Sequence, residues 1–412
     1  MASELLPLSQ AERITASLLD YLGTTFALAD PDARRELDAF LEHPSTGMFR
    51  GPYLRLRMPF RPAEDGWRDS LEWYEGFTPY GHQAAAFARL SSANLGPDKS
   101  RPLPTLVTTG TGSGKTEAFL YPILDHVLRA KRQGVTGTKA IILYPMNALA
   151  NDQAQRLAGL ITEHKELGGI TAALYTGEAG ATRTTVGPDG LISDRDVIRS
   201  VAPDILLTNY KMLDQLLLRP ADAELWRQSA HSLQYLVLDE FHTYDGAQGT
   251  DVSMLLRRLG MTLKSYWVDG DTGISDEDRA RPLGRVTPIA TSATLGDGND
   301  SSTMLDFART VFGDEFTAES VVTESRESLQ EWSDGAASRI ADAGITVAQI
   351  DEKRLRELAS ASSATDPVAV ARAAFRSLYT VPNGFEEDEI DGLSLDLIRA
   401  HPVFHRIVER CE

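Results

Sequence analysis

The sequence contains a single cysteine, Cys411, and no run of eighteen apolar residues. One cysteine cannot form a disulfide within the chain, which fits a reducing compartment. A helix that spans a bilayer needs about 20 mostly apolar residues, so no transmembrane segment and no membrane partner are expected. The N-terminus, MASELLPLSQ, lacks a basic segment followed by an apolar one, so it is not a secretory signal. We therefore expect a cytoplasmic protein.

Positive charge is also scarce. The chain has 41 Lys and Arg residues against 59 Asp and Glu residues, a net charge of −18. This balance argues weakly against a nucleic-acid partner, because contacts with phosphates need local positive charge. A protein can still hold a strand through backbone amides and a few basic residues, so composition neither supports nor excludes such a partner. The hydrophobic fraction of 42% predicts packed cores, and 412 residues suggest two or three domains.

Short apolar segments alternate with helical ones over residues 103–294. The strand-like segments read LPTLVTTG, KAIILYP, GITAALYTG, DILLTNY, LQYLVLDE and TPIATSAT. This alternation predicts an α/β fold in which helices cover both faces of a parallel sheet. Before it, residues 8–41 predict two helices divided at Asp30-Pro31, and YLRLRMPF at residues 53–60 has the period of a strand.

The segment TTGTGSGKTE, residues 108–117, lies between a predicted strand and a predicted helix from Lys115 to Arg132. Glycines let backbone amides turn toward phosphate oxygens, and the start of a helix favours anions. The general pattern G-x-x-x-x-G-K-[ST] has glycine where this chain has Thr109. A glycine-rich turn without a ligand is the alternative. We predict a nucleotide site formed by Thr111, Gly112, Ser113, Gly114, Lys115, Thr116 and Glu117.

A second chemical signal is LQYLVLDEFH, residues 233–242, an apolar strand that ends in Asp-Glu. Ligands of open parallel sheets bind beyond the carboxyl ends of the strands. Asp239 is therefore placed to hold Mg²⁺ together with Thr116, while Lys115 reaches the phosphates. Glu240 is placed to orient and polarise an attacking water. An acidic pair at the start of a helix is the alternative. Together with the phosphate loop, the pair predicts ATP hydrolysis.

This combination resembles the DExH helicases of superfamily two, with DEFH at residues 239–242 as the acidic box. Five further segments are similar to motifs of that family and follow in its order: PYGHQ (79–83) to the adenine-reading segment, YPMNALANDQ (144–153), YTGE (175–178) and TNYKMLD (208–214) to strand-contacting motifs, and TSATLG (291–296) to the Ser-Ala-Thr box. The resemblance implies a RecA-like P-loop domain that uses ATP and Mg²⁺ and acts on a nucleic acid. It covers residues 77–296.

The resemblance also implies roles for individual residues. Lys115, Asp239 and Glu240 would be catalytic, and Gln83 would read adenine unless it is an ordinary surface glutamine. Coupling of hydrolysis to strand movement would involve His242, Ser292 and Thr294. The strand path would include Asn147, Thr176, Thr208 and Asn209. Ordinary loop or capping duty is the alternative for these last residues, because Ser, Thr and Asn favour such positions.

More narrowly, DEFHTYDGAQGTDV and YPMNALANDQ resemble large bacterial helicases related to the Lhr and MrfA groups. Those include helicases of DNA repair and of antiphage defence systems such as Druantia and DISARM. The resemblance implies DNA in preference to RNA, movement from 3′ to 5′, and partner proteins of a defence system. Motifs of this kind contact phosphates and sugars, so the residues themselves leave an RNA helicase open. An ATP-switched scaffold is the other alternative.

We predict an N-terminal helical and β extension over residues 1–76, an ATP-binding domain over 77–320 and a helical linker or insertion over 321–412. The Q-x-x-G-R-x-G-R pattern of a second RecA-like domain does not occur, so we expect an N-terminal fragment of a larger protein. Arginines of the kind that domain supplies contribute factors of about 10³–10⁵ to phosphoryl transfer. The chain alone is therefore expected to be a weak or inactive ATPase.

Overall fold

The computed structural model describes two compact units, Phe60–Ser325 and Met1–Pro59 with Arg326–Glu412. The residues described are 7–43, 45–49, 57–74, 76–93, 95, 101–110, 112–177, 182–268, 270–271, 273–293, 301–349, 351–361, 367–382 and 387–411. No helix in these ranges is both long enough and apolar enough to cross a membrane.

A parallel sheet of seven strands forms the centre of the Phe60–Ser325 unit, in the order β3-β4-β2-β5-β6-β1-β7. The strands are β1 (Thr105–Thr108), β2 (Ala140–Leu143), β3 (Ala172–Tyr175), β4 (Ile205–Thr208), β5 (Tyr235–Leu238), β6 (Thr287–Ser292) and β7 (Val321–Thr323). Every pairing between neighbours is parallel. Strands β1, β2, β4, β5 and β6 are buried along their whole length, which requires cover on both faces.

The helices of both units follow in chain order. They are α1 (Pro7–Thr25), α2 (Pro31–Leu41), α3 (Gly81–Leu90), α4 (Lys115–Arg132), α5 (Asn147–Glu163), α6 (Arg195–Ser200), α7 (Tyr210–Leu218), α8 (Ala223–Ser229), α9 (Gly246–Lys264), α10 (Asp276–Ala280), α11 (Ser301–Phe312), α12 (Leu329–Ser333), α13 (Ala336–Asp342), α14 (Glu352–Ala361), α15 (Pro367–Leu378), α16 (Glu387–Ala400) and α17 (Pro402–Cys411). The predicted helix from Lys115 to Arg132 is α4.

Two hydrophobic cores lie on opposite faces of the sheet. Helices α3, α4 and α5 form the core on one face, where Ile142 of β2 is buried. Helices α7, α8, α9 and α11 form the core on the other face, where Ile141 and Leu143 of the same strand are buried. This alternation follows from the two-residue period of a strand. The predicted α/β sheet flanked by helices is confirmed.

The bounds of the Phe60–Ser325 unit differ from the predicted 77–320. Before α3, the backbone N–H groups of Glu72 and Trp73 each donate to the Asp125 carboxylate of α4 at 2.8 Å. Burial raises the pKa of Asp125, against the opposing effect of these two bonds and of Arg129. At the other end, β7 pairs with β1 and extends the sheet past residue 320. Both additions depend on contacts between segments distant in sequence.

In the other unit, α1 and α2 are separated where the sequence predicts, and Asp30 caps α2 by accepting a hydrogen bond from the Asp32 amide. Residues 326–411 are mainly helical where described, with a short antiparallel pair, β8 (Thr346–Val347) and β9 (Tyr379–Thr380). A small core there contains Ile340, Ile345, Tyr379 and Leu397. Residues 53–56 of the predicted strand at 53–60 lie outside the described residues, and residues 57–60 do not form a regular strand.

Candidate nucleotide-binding site

The phosphate loop joins the end of β1 to the start of α4. Its first residue, Thr109, donates its amide to the Ser292 carbonyl of β6 at 3.2 Å. The hydroxyl of Ser113 donates to the Thr109 hydroxyl at 2.6 Å. This bond links two loop residues four positions apart. Thr109, which replaces the usual glycine, therefore stabilises the loop through its side chain. Gly112 and Gly114 have φ of 77° and 78°, a backbone conformation that residues other than glycine rarely adopt.

Gln83 ties the start of α3 to this loop. Its Oε1 accepts from the Tyr80 amide at 2.9 Å, and its Nε2 donates to the Gly114 carbonyl at 3.2 Å. A Cβ at Gly114 would lie 2.2 Å from Gln83 Nε2, so this approach requires glycine. Gln83 is only 3% exposed and is therefore not a surface glutamine.

Lys115 and Glu240 face each other across the site. Lys115 Nζ lies 3.6 Å from Glu240 Oε1, which is longer than a hydrogen bond. Lys115 Nζ and Glu240 Oε2 are both buried and have no hydrogen-bond partner among the described residues. Buried polar atoms are nearly always satisfied, so the pair is suited to a bound ligand or water. Glu240 also has a φ of 51°, the one positive value at a non-glycine position in the described ranges, and such strain concentrates at functional sites.

Asp239 is 7% exposed, and its Oδ1 accepts a hydrogen bond from the Thr291 hydroxyl of β6. Burial raises the pKa of this carboxyl, while the Thr291 bond and the Lys115 charge oppose the increase. A divalent cation beside Asp239 would favour its ionised form. Thr116 lines the same cavity, so a hydroxyl and a carboxylate are available. Oxygen donors of this kind fit Mg²⁺.

His242 connects Glu240 to the end of β6. Its Nδ1 lies 3.5 Å from Glu240 Oε2 and 3.2 Å from the Ser292 hydroxyl. The predicted coupling residues His242 and Ser292 are therefore in contact with each other, and His242 also faces Glu240. Thr294, the third of them, lies outside the described residues, as does Thr111 of the phosphate loop.

A cavity of about 870 Å³ contains these groups. Its walls include Gln83, Gly112, Gly114, Lys115, Thr116, Glu117, Asp239 and Glu240. Two aromatic walls, Phe77 and Tyr121, are absent from the sequence-based site. Their ring centroids are 6.0 Å apart, and Phe77 is 41% exposed. Phe77 could have been predicted from the sequence, because it lies in GFTPYGHQ six residues before Gln83. Tyr121 could not, because only the packing of α4 brings it beside Phe77.

The predicted strand-path residues lie at the carboxyl ends of β2, β3 and β4. Asn209 Nδ2 donates to Asn147 Oδ1 at 2.6 Å, which joins the start of α5 to the start of α7. Asn209 also caps α7 by accepting from the Met212 amide at 2.8 Å, so the capping alternative describes part of its role. Thr208 is fully buried and donates to the Tyr175 carbonyl at 2.6 Å, so its side chain can act on a strand only through that backbone. Thr176 lines a separate cavity of about 800 Å³.

The parallel sheet, the phosphate loop and the Asp-Glu pair at the end of β5 define a P-loop enzyme of the ATP-hydrolysing class. A model of the DEAD/DEAH box helicase family matches residues 82–300, more than half of the chain. The chain belongs to the DEAD/DEAH box helicase family.

Three comparisons illustrate its relationships. The chain is 27% identical over 318 residues to the Druantia protein DruE of Escherichia coli (strain UMEA 4076-1), covering 54% of this chain and 16% of that protein. It is 29% identical over 180 residues to the ATP-dependent helicase hrq1 of Schizosaccharomyces pombe (strain 972 / ATCC 24843), covering 44% of this chain and 14% of that protein. The DUF1998 helicase MrfA, solved bound to DNA, is 23% identical with a TM-score of 0.44, covering 65% of this chain and 29% of that one.

The chain therefore matches less than a fifth of the length of the Druantia protein DruE and of the helicase hrq1. The matches confirm the resemblance to DExH helicases and to the group that includes the Druantia protein DruE.

Proposed function

We propose that this chain is the ATP-binding part of a helicase or translocase that acts on DNA. The proposal is carried by two buried atoms, Lys115 Nζ and Glu240 Oε2, which lie beside the buried Asp239 and have no hydrogen-bond partner among the described residues. Burying a carboxylate oxygen that accepts no hydrogen bond costs free energy. A general base needs an oxygen that is free to accept the proton of the attacking water. A scaffold that only binds ATP has no need for it.

The residues divide the work between binding and chemistry. Lys115 would contact the terminal phosphates, and the amides around Gly112 and Gly114 would hold the others. Thr116 and Asp239 would hold Mg²⁺, which when bound neutralises charge that develops on the phosphates. Glu240 would orient the attacking water and accept its proton through Oε2. The rings of Phe77 and Tyr121 would pack against the adenine of ATP, and the Gln83 side-chain amide would lie at the edge of the adenine.

Coupling to a strand would run through the contact between Glu240, His242 and Ser292. A change at the Glu240 carboxylate during hydrolysis alters the charge that His242 faces 3.5 Å away. Ser292 would carry the change along β6 toward Thr294. Asn147 and Asn209, whose side chains are hydrogen-bonded to each other, would contact the sugar-phosphate backbone of the strand. Thr176 and the protein main chain that Thr208 holds would contact it as well. Contacts of this kind position a strand without reading its bases.

The choice of DNA, the 3′ to 5′ direction and a place in antiphage defence or DNA repair rest on the resemblance to the Lhr and MrfA groups. The relative named as a Druantia protein supports antiphage defence. Partner proteins of a defence system are part of the same proposal.

The test compares ATP turnover with no strand, with single-stranded DNA and with single-stranded RNA of the same sequence, for this chain joined to a second RecA-like domain that supplies the missing arginines. DNA is expected to stimulate turnover more than RNA. Equal or greater stimulation by RNA would instead support an RNA helicase, and binding of ATP without turnover under any strand condition would support the scaffold.

A companion variant tests the ATP site itself. Lys115→Ala removes a charged contact to phosphate and is expected to weaken ATP binding about 10- to 100-fold. Titration calorimetry with ATP measures this directly. Lys165→Ala, which removes an exposed lysine outside the cavity, is the matched control and should bind ATP like the wild type. ATP affinity that is equal in the two variants would contradict the site.

A further inference from the structure

The charges that line the nucleotide cavity do not suit an anionic ligand. Four carboxylates face it, those of Glu117, Glu163, Asp239 and Glu240. In the part of the chain that the structure describes, the cationic side chains of the lining are Lys115 and Arg156 alone. A nucleoside triphosphate is itself strongly negative, so its binding here requires all the positive charge that the walls can supply. Lys115 and Mg²⁺ account for part of it, and Arg156 has no role in the site so far.

Arg156 extends from α5 into the cavity and forms an ion pair with Glu117 of α4. The Glu117 side chain is 15% exposed, whereas the Arg156 side chain is 50% exposed. Glu117 also borders the phosphate loop, because a Cβ at Gly114 would lie 3.3 Å from its Oε2. The guanidinium is therefore held close to the loop by a carboxylate that competes with any phosphate.

The exchange of one partner for the other is physically favourable. An ion pair with a half-exposed arginine contributes little, because water screens the charges and the long side chain loses freedom. Bonds from arginine to phosphate are charge-assisted and can be bidentate, which makes them stronger. Half-exposure leaves the guanidinium room to turn without repacking a core.

We propose that Arg156 is a nucleotide-binding residue, which leaves Glu117 for a phosphate oxygen when a nucleoside triphosphate enters the cavity. The proposal rests on the proposed function of the site and assigns a second cation to the same ligand. Glu117 then acts on ATP through Arg156: it holds the guanidinium near the loop in the free protein and competes with phosphate for it.

The experiment measures dissociation constants for ATP and for adenosine by titration calorimetry on the whole chain. Arg156→Ala should weaken ATP binding about tenfold, the scale of one charged hydrogen bond, and leave adenosine affinity unchanged. Glu117→Gln should tighten ATP binding, because the competing charge is gone. Arg156→Lys keeps the charge and should retain part of the ATP affinity. Arg132→Ala is the matched control, since Arg132 is 62% exposed and pairs with Glu72 outside the cavity.

A purely structural brace between α4 and α5 gives a different pattern. Arg156→Ala and Glu117→Gln would then break the same contact and change ATP affinity in the same direction, with adenosine affected as well, and this result would overturn the proposal. Lys115→Ala separates the two levels of inference. If Lys115→Ala weakens ATP binding as expected while Arg156→Ala binds like the wild type, only the role of Arg156 fails. If it has no effect, the ATP site fails as well.

Discussion

Glu240→Gln is expected to lower strand-stimulated ATP turnover by about 10²–10⁴-fold, the usual contribution of a general base. The amide keeps the shape of the side chain but cannot accept the proton of an attacking water. Within the described residues the buried Glu240 Oε2 atom has no hydrogen-bond partner, and His242 Nδ1 faces it at 3.5 Å, so the main function lost is proton acceptance. Turnover at saturating ATP, with and without single-stranded DNA and with a second RecA-like domain present, measures the effect, and calorimetry should show that ATP still binds.

The matched control is Glu166→Gln, the same substitution at an exposed position outside the cavity. Its turnover should equal that of the wild type. Turnover of Glu240→Gln within threefold of the wild type would exclude Glu240 as the base. Absence of turnover in every variant, with ATP binding intact, would make the ATP-switched scaffold the better account.

Asp204→Asn is expected to destabilise the Phe60–Ser325 unit by about 3–5 kcal/mol, the cost of leaving a buried charge without its partner. Asp204 Oδ1 lies 2.7 Å from Nζ of Lys139, whose side chain is 1% exposed. Its Oδ2 lies 2.8 Å from Lys131 Nζ and accepts from the Thr171 amide and hydroxyl at 2.8 Å each. One carboxylate thus connects the starts of β2, β3 and β4. Urea unfolding at pH 7 measures the loss.

The pH dependence of this loss is a stricter test of the same network. Burial opposes ionisation of Asp204, but hydrogen bonds from Lys131, Lys139 and Thr171 outweigh it and hold its pKa below the usual value. A depressed carboxyl pKa stabilises the fold above the unfolded value, about 3.9, and this stabilisation is lost as pH falls through the folded pKa. The difference between wild type and Asp204→Asn should therefore be constant from pH 7 to 5 and shrink below about pH 4.

Asp196→Asn is the control for that network, because Asp196 is 95% exposed and its ion pair with Arg199 is 3.4 Å long. Little change in unfolding free energy is expected at any pH. Equal losses in the two variants at pH 7 would mean that the buried Asp204 network contributes no more than a surface ion pair.

Much of the ATP site follows from local sequence. TTGTGSGKTE needs glycines at its positive φ angles and a helix directly after it, and both requirements are satisfied within ten residues. Helix α4 spans the predicted residues, and Asp30-Pro31 divides α1 from α2 as predicted, because a proline and its preceding residue disfavour a continuous helix. Buried strands of a parallel sheet read as short apolar runs, so all the strands from β1 to β6 were recognisable.

The order of the strands within the sheet, by contrast, cannot be predicted from any local sequence pattern. Strand β6 lies between β5 and β1, which brings Thr291 to Asp239 and Ser292 to both Thr109 and His242. The 3.6 Å approach of Lys115 to Glu240, the aromatic wall of Tyr121 and the Arg156–Glu117 pair arise in the same way, from elements far apart in the chain.

The sequence by itself determined the class of enzyme, the order of the central helices and strands along the chain, and the residues proposed to bind phosphate and to activate water. Those properties depend on backbone conformation and residue chemistry over a few positions. The tertiary structure decided the bounds of the Phe60–Ser325 unit, the buried anchor at Asp204 and the second cation of the cavity. Each of these depends on which side chains meet across strands and helices, and that is settled only when the whole sheet and its two cores pack together.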